Sequence, residues 1–174
     1  MIGTRIDPGI LRRVLGQFAT GIVVVTAHTD DGLPVGMTVN SFCSVSLEPP
    51  LVLFCVSRAS RLHPVFTAAP AFAVNVLGEA QRELSLAFAR PGLDRFGTLS
   101  HRSGAGGVPL LPGALAVVTC TTASVTEAGD HDIVLGRVTE LDCDPRSLAD
   151  PLVFYGGAYR RLASRHADWW TAFS

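Results

Sequence analysis

The sequence predicts a mainly antiparallel β-barrel with helical decorations. Three observations carry that expectation. At least six segments are rich in β-branched residues and short enough to be strands. Only three segments read as helices, and they do not alternate with the strands as a doubly wound parallel sheet requires. The chain has 174 residues, 48% hydrophobic and 17% charged, which gives one domain enough apolar surface to offset the entropy of ordering it.

Taken in order, the first element is a helix. Asp7 is placed as N-cap, Pro8 suits the first helical position, and Ile10, Leu11, Val14, Leu15 and Phe18 share one face. Arg12, Arg13 and Gln17 fall on the other side, and Thr20-Gly21 is read as the stop. The run Ile22-Val23-Val24-Val25 makes 21–26 a strand, and Asp31-Gly32 is turn chemistry before a second, 35–45. A loop at 47–50 leads to the fully apolar strand 51–56. Segment 61–68 is a weak helix because of Pro64, 71–77 is a strand, and 79–89 is a helix with Leu84, Ala87 and Phe88 on one side. Arg90-Pro91 ends it. Residues 100–113 form a Gly-rich loop, 114–126 a long strand expected to twist or bulge, and 132–141 and 152–155 complete the set.

Composition narrows the function. Fourteen basic and 15 acidic residues give a net charge of −1, which argues against a basic surface for nucleic acid. The longest apolar run, Leu51 to Val56, is far below the roughly 18–20 residues of a membrane span. No apolar signal core follows Met1, so a soluble cytoplasmic protein is expected. Cys43, Cys55, Cys120 and Cys143 form no C-x-x-C pair, and neither zinc nor a disulfide framework is expected. The phosphate-loop, H-E-x-x-H and G-x-S-x-G signatures are absent. Gly104-Ala105-Gly106-Gly107 lacks dinucleotide-loop spacing and is read as a surface turn.

Three segments stand apart from ordinary barrel sequence. Gly36-Met37-Thr38-Val39-Asn40-Ser41-Phe42 sets hydroxyl and amide donors beside an apolar strand, with a glycine that permits close backbone approach. Ser57-Arg58-Ala59-Ser60-Arg61 follows a strand end and enters a possible helix, a combination suited to a phosphate. The same residues would also make a capped helix start with solvated arginines. In Gly129-Asp130-His131-Asp132 the first two residues suit a hairpin turn. His131 either opens the next strand or, held by its carboxylate neighbours, orients a ligand at a barrel mouth.

In their order along the chain, these pieces resemble the flavin reductase family built on the FMN-binding split barrel. More narrowly, they are similar to reductase components of two-component flavin-dependent monooxygenases. The resemblance rests on Phe18-Ala19-Thr20-Gly21, on 36–42, and on Ser44-Val45-Ser46-Leu47-Glu48-Pro49-Pro50 with the strand that follows. It continues through 57–60, Phe72-Ala73-Val74-Asn75-Val76-Leu77, Gln81, Leu84-Ser85, Phe88-Ala89 and Asp94-Arg95-Phe96. Gly129-Asp130-His131, Pro151-Leu152 and Tyr155-Gly156-Gly157-Ala158-Tyr159 close it.

The resemblance implies a split β-barrel (Greek-key, antiparallel) with peripheral helices, over residues 1–163, followed by a tail, 164–174, that holds Trp169 and Trp170. It implies a homodimer that uses NADH or NADPH to reduce FMN or FAD and passes the reduced flavin to a partner monooxygenase. Gly36, Met37, Thr38, Asn40 and Ser41 would line the isoalloxazine and ribityl chain. Ser57, Arg58, Ser60 and Arg61 would surround the phosphate, and Phe88 and Ala89 would close over the flavin. His131 would meet the nicotinamide, with Tyr159 and Arg12 at the same mouth. A flavin carrier or sensor of the same fold is the alternative. An oxidase of the pyridoxamine-phosphate type would need a second basic cluster, and none is visible in the sequence.

Overall fold

Helix α1 spans Pro8–Leu15 and starts as its sequence dictates, with the Asp7 carboxylate accepting from the Ile10 amide at 2.8 Å and Pro8 in the first turn. Its end differs from expectation. The helix stops at Leu15, and Gly16 caps it by donating to the Arg12 carbonyl at 2.9 Å. Gly16 has the poorest helix propensity after proline, so it ends the helix before Thr20 is reached. Thr20–Gly21 instead forms a short strand, β1.

The computed structural model describes residues 6–90, 95–143 and 149–162. Asp94, Trp169 and Trp170, and with them the tail 164–174, lie outside the described residues. The next strands are β2 (Val23–His28), β3 (Pro34–Val39), β4 (Cys43–Leu47) and β5 (Pro50–Ser57). The stretch read as one strand over 35–45 is therefore two, parted at 40–42, and the 47–50 loop is a tight hairpin with Leu47 opposite Pro50. Helix α2 (His63–Ala68), β6 (Ala71–Val76), a 3-10 turn at Glu79–Gln81 and α3 (Arg82–Ala89) follow. Within the Gly-rich segment 100–113 lie two short strands, β7 (Arg102–Ser103) and β8 (Pro109–Leu110). Then come β9 (Ala116–Ala128), β10 (His131–Cys143), β11 (Val153–Tyr155) and β12 (Ala158–Arg160).

Seven strands pair antiparallel in the order β3-β2-β6-β9-β10-β5-β4. The two edge strands, β3 and β4, are consecutive in the chain, joined by 40–42. At that corner the Ser41 hydroxyl accepts from the Cys55 amide at 2.9 Å and so stitches the end of β3 to β5. A β-bulge between β9 and β10 shifts the register near Gly136, where a Cβ would meet the Phe72 ring at 2.4 Å. Strands β1, β11 and β12 form a second small sheet. Ile22, Leu77 and Leu152 tie it to the main sheet through backbone bonds of 2.9–3.1 Å.

Strand β2 reads as an unbroken β-branched run because both its faces are covered. Val23, Val25 and Ala27 enter a core with Phe54, Phe66, Phe72 and Val134, in which the Phe54 ring packs edge-on against Phe66 and Phe72. Ile22 and Val24 face a second core with Leu77, Phe88, Phe96 and Leu152 beneath α3. The apolar face of α1 meets neither: Ile10, Leu11, Val14 and Leu15, and Phe18 beyond it, are all exposed.

Candidate functional site

A cavity of about 1130 Å³ lies against β3, β5, the loop after β5 and the end of α3. Its floor is the segment chosen from sequence: Gly36, Met37, Thr38, Asn40 and Ser41 all line it. Strand β3 is an edge strand, so its outer backbone groups have no strand partner. Gly36 is required by a close approach, since a Cβ there would lie 2.8 Å from the Phe88 ring. The ring of Phe88, rather than a ligand, occupies the space that this glycine leaves. The Thr38 hydroxyl donates to the Ser85 carbonyl at 2.7 Å and fixes α3 against the floor. Phe88 and Ala89 thereby form a wall.

Ser57, Ser60 and Arg61 line the opposite side. The segment that carries them is a run of turns, and helix α2 begins only at His63 without a side-chain cap. Ser57 Oγ accepts from the Ala59 amide at 3.3 Å, and Ser60 Oγ from the Leu62 amide at 3.2 Å. Each hydroxyl has its proton left to donate outward. Arg61 has no ion-pair partner among the described residues. Arg58 is not part of the lining. Its Nε lies 2.8 Å from Asp132 Oδ1 and its Nη2 3.1 Å from Glu127 Oε1. Asp132, almost buried, also meets His63 Nε2 at 2.9 Å. The hydrogen bond from Arg58, with His63 adding to it, holds the Asp132 carboxyl below the usual carboxylate range against the opposing effect of burial.

His131 lines the mouth of the cavity. Its Nδ1 is 2.8 Å from Asp130 Oδ1, and this contact holds the Asp130 carboxyl below its ordinary value. Tyr159 and Arg12 are not in the lining. The Tyr159 hydroxyl is 2.8 Å from Ser85 Oγ, and the Arg82 guanidinium sits over its ring, so this tyrosine braces α3 from outside.

Sequence reasoning missed the far wall: Arg90, Arg95, Phe96 and His101 also line the cavity. Among the described residues, the charged or titratable side chains in the lining are Arg61, Arg90, Arg95, Cys55, His101 and His131, with no Asp or Glu. In a chain of net charge −1, a cavity whose described lining bears three arginines and no carboxylate suits an anion. Arg90 and Arg95 join His101 only in space, so no cluster is visible in one dimension.

Residues 15–163 match the flavin reductase like domain. The chain belongs to this family. It is 44% identical over 158 residues to the reductase subunit HsaB of a flavin-dependent monooxygenase from Mycobacterium tuberculosis, covering 91% of this chain and 84% of that protein. It is 47% identical over 152 residues to the FMN reductase (NADH) SmoA of Agrobacterium fabrum, covering 87% of this chain and 84% of that one. Among solved structures, the NADH:FAD oxidoreductase SgcE6 of Streptomyces globisporus, in complex with NAD and FAD fragments, superposes with a TM-score of 0.83 at 42% identity, covering 92% of this chain and 98% of that one. The architecture is thus the mainly β, antiparallel split barrel of the flavin reductases. No helix among the described residues is long and apolar enough to cross a membrane.

Proposed function

We propose that this flavin reductase family member is an NAD(P)H:flavin oxidoreductase that reduces FMN or FAD and supplies the product to a separate flavin-dependent monooxygenase. The observation that carries the reading is the cavity itself: a floor of neutral donors on an edge strand and cationic walls, with no carboxylate among the described residues of its lining. The donor set fits a flavin, whose ring needs neutral hydrogen-bonding groups and whose tail is anionic.

Bound there, the flavin would accept a hydride from the nicotinamide, a step no amino-acid side chain performs reversibly. The residues supply position and electrostatics. Gly36, Met37, Thr38, Asn40 and Ser41 offer a rigid edge along the ring and ribityl chain, held by the Thr38–Ser85 and Ser41–Cys55 hydrogen bonds. Ser57, Ser60 and Arg61 take the phosphate. Phe88 and Ala89 exclude water from one side, and His131 orients the nicotinamide at the mouth. Fixed donors aimed where negative charge develops need no reorganisation during transfer. Arg58 acts one step removed, by bracing the loop through Asp132.

The active form is a homodimer in the cytoplasm. The exposed stripe Ile10, Leu11, Val14 and Leu15, continued by Phe18, supports this reading, since a second copy would cover it. Light scattering at micromolar concentration should give twice the chain mass. Following NADH and NADPH oxidation at 340 nm with each flavin tests the activity. No oxidation with any of the four pairs would end the proposal.

A further inference from the structure

Strand alternation sorts the start of β10 onto two faces. His131 stands opposite Ser57, and both line the cavity. Asp132, one residue on, stands opposite Val56 and turns to the other face, where Val56 and Val134 are buried. Asp132 is itself only 6% exposed. A carboxylate placed there needs partners, because burying an unpaired charge is costly. Its two oxygens divide between two residues that, like Asp132, stay outside the lining: Oδ1 meets Arg58 Nε and Oδ2 meets His63 Nε2.

Stability alone does not account for these contacts, since a well-packed apolar side chain often stabilises a fold as much as a buried ion pair does. What the ion pairs add is direction. Arg58 and His63 stand on either side of 59–62, the turn that brings Ser60 and Arg61 to the cavity wall. Bonds from the Ser60 amide to the Ser57 carbonyl, from the His63 amide to the Ser60 carbonyl and from the Leu62 amide to Ser60 Oγ shape the turn from within. The Arg58 amide, donating to the Asp130 carbonyl at 3.0 Å, and the Asp132 carboxylate anchor it to the β9–β10 hairpin. Arg58 also reaches Glu127, but that carboxylate is exposed and such a pair contributes little. The floor at 36–41 is held separately, by the Thr38–Ser85 and Ser41–Cys55 bonds. Resting on the function proposed above, we propose that Asp132 is a positioning residue for the flavin phosphate: without touching the ligand, it holds Ser60 and Arg61 where they meet that group and so sets a preference for phosphorylated flavin over riboflavin. Riboflavin has the same ring and ribityl chain but ends in a hydroxyl, so it uses the floor and not the turn.

Titration calorimetry of the full chain with FMN and with riboflavin reads this preference without turnover. The unmodified chain should favour FMN. Asp132→Ala should weaken FMN about tenfold, the weight of one charge-assisted hydrogen bond, and leave riboflavin unchanged. Arg58→Ala should do the same, and the double variant should lose no more than either, because both changes break one contact. Arg58 is the more exposed of the pair, so its variant carries the test if Asp132→Ala does not fold. Equal weakening of FMN and riboflavin would mean a merely structural carboxylate and overturns the proposal. An unchanged ratio overturns it too, as do additive losses in the double variant, which would put Arg58 on the phosphate itself. Each of these results leaves the reductase reading intact. An unmodified chain that binds FMN no better than riboflavin removes the phosphate role of the turn, and the proposal with it. One that binds neither and oxidises no NADH overturns the reductase reading as well.

Discussion

Asp132 and Arg58 meet at 2.8 Å, Oδ1 to Nε, although 74 residues separate them. The same carboxylate holds His63, 69 residues away, at 2.9 Å. Arg58 and His63 bracket the turn that carries Ala59, Ser60, Arg61 and Leu62 into the cavity wall, just beyond Ser57 at the end of β5. One nearly buried carboxylate therefore fixes both ends of that wall.

The clamp predicts an acid limb. The Asp132 carboxyl titrates below its ordinary value in the folded state, so its contribution is complete above the usual carboxylate range. It is lost as pH falls from about 4 downward through the depressed value. Asp132→Asn should melt lower at neutral pH and lose less stability on acidification than the unmodified chain. Calorimetric Tm measured across that range checks this, and parallel acid limbs in the two proteins would contradict it.

Gly36 and Phe88 allow no Cβ between them. Phe88 is 3% exposed, and its ring is already packed edge-on against Phe96 at 5.5 Å. Gly36→Ala should cost about 1–3 kcal/mol as overpacking, which lowers Tm by about 3–10 °C. An unchanged Tm would mean that the ring moves freely.

Asn75 is a buried polar hub. Its Nδ2 donates to the Val24 carbonyl at 3.0 Å and to Thr26 Oγ1 at 3.1 Å, and its Oδ1 accepts from the Leu111 amide at 2.8 Å. Asn75→Ala leaves several buried groups unpaired, so urea unfolding should show a loss of about 3 kcal/mol. A loss below about 1 kcal/mol would show that water replaces the amide.

His131→Ala should raise the nicotinamide KM about three- to tenfold while flavin affinity changes less, as expected for one hydrogen bond at the mouth. Steady-state kinetics with a flavin titration separates the two. If flavin affinity collapsed and the nicotinamide KM held, the role given to His131 would fall.

Local chemistry made much of the fold legible. The Asp7-Pro8 start of α1, the β-branched run in β2 and the hairpin glycines at 32 and 129, with φ of +76° and +72°, depend on neighbours in sequence. Strands β1, β7, β8 and β12 were not legible, because two or three residues carry no period. Their existence depends on partners supplied by distant segments. The early end of α1 at Gly16 was missed because apolar spacing continues to Phe18 past the helix.

For the candidate site, residue type singled out the floor segment 36–41, the serines of 57–60 and His131 as candidates with a structural alternative for the last two, and the family resemblance gave them ligand roles. Three-dimensional packing decided where charges point. Arg58 turns to Asp132, Tyr159 braces Ser85, and Arg12 stays outside the lining, while Arg90, Arg95 and His101 come together on a wall. The reason is range. Capping, turns and strand propensity act over a few residues, whereas a cavity is made by side chains that only a closed sheet brings within reach.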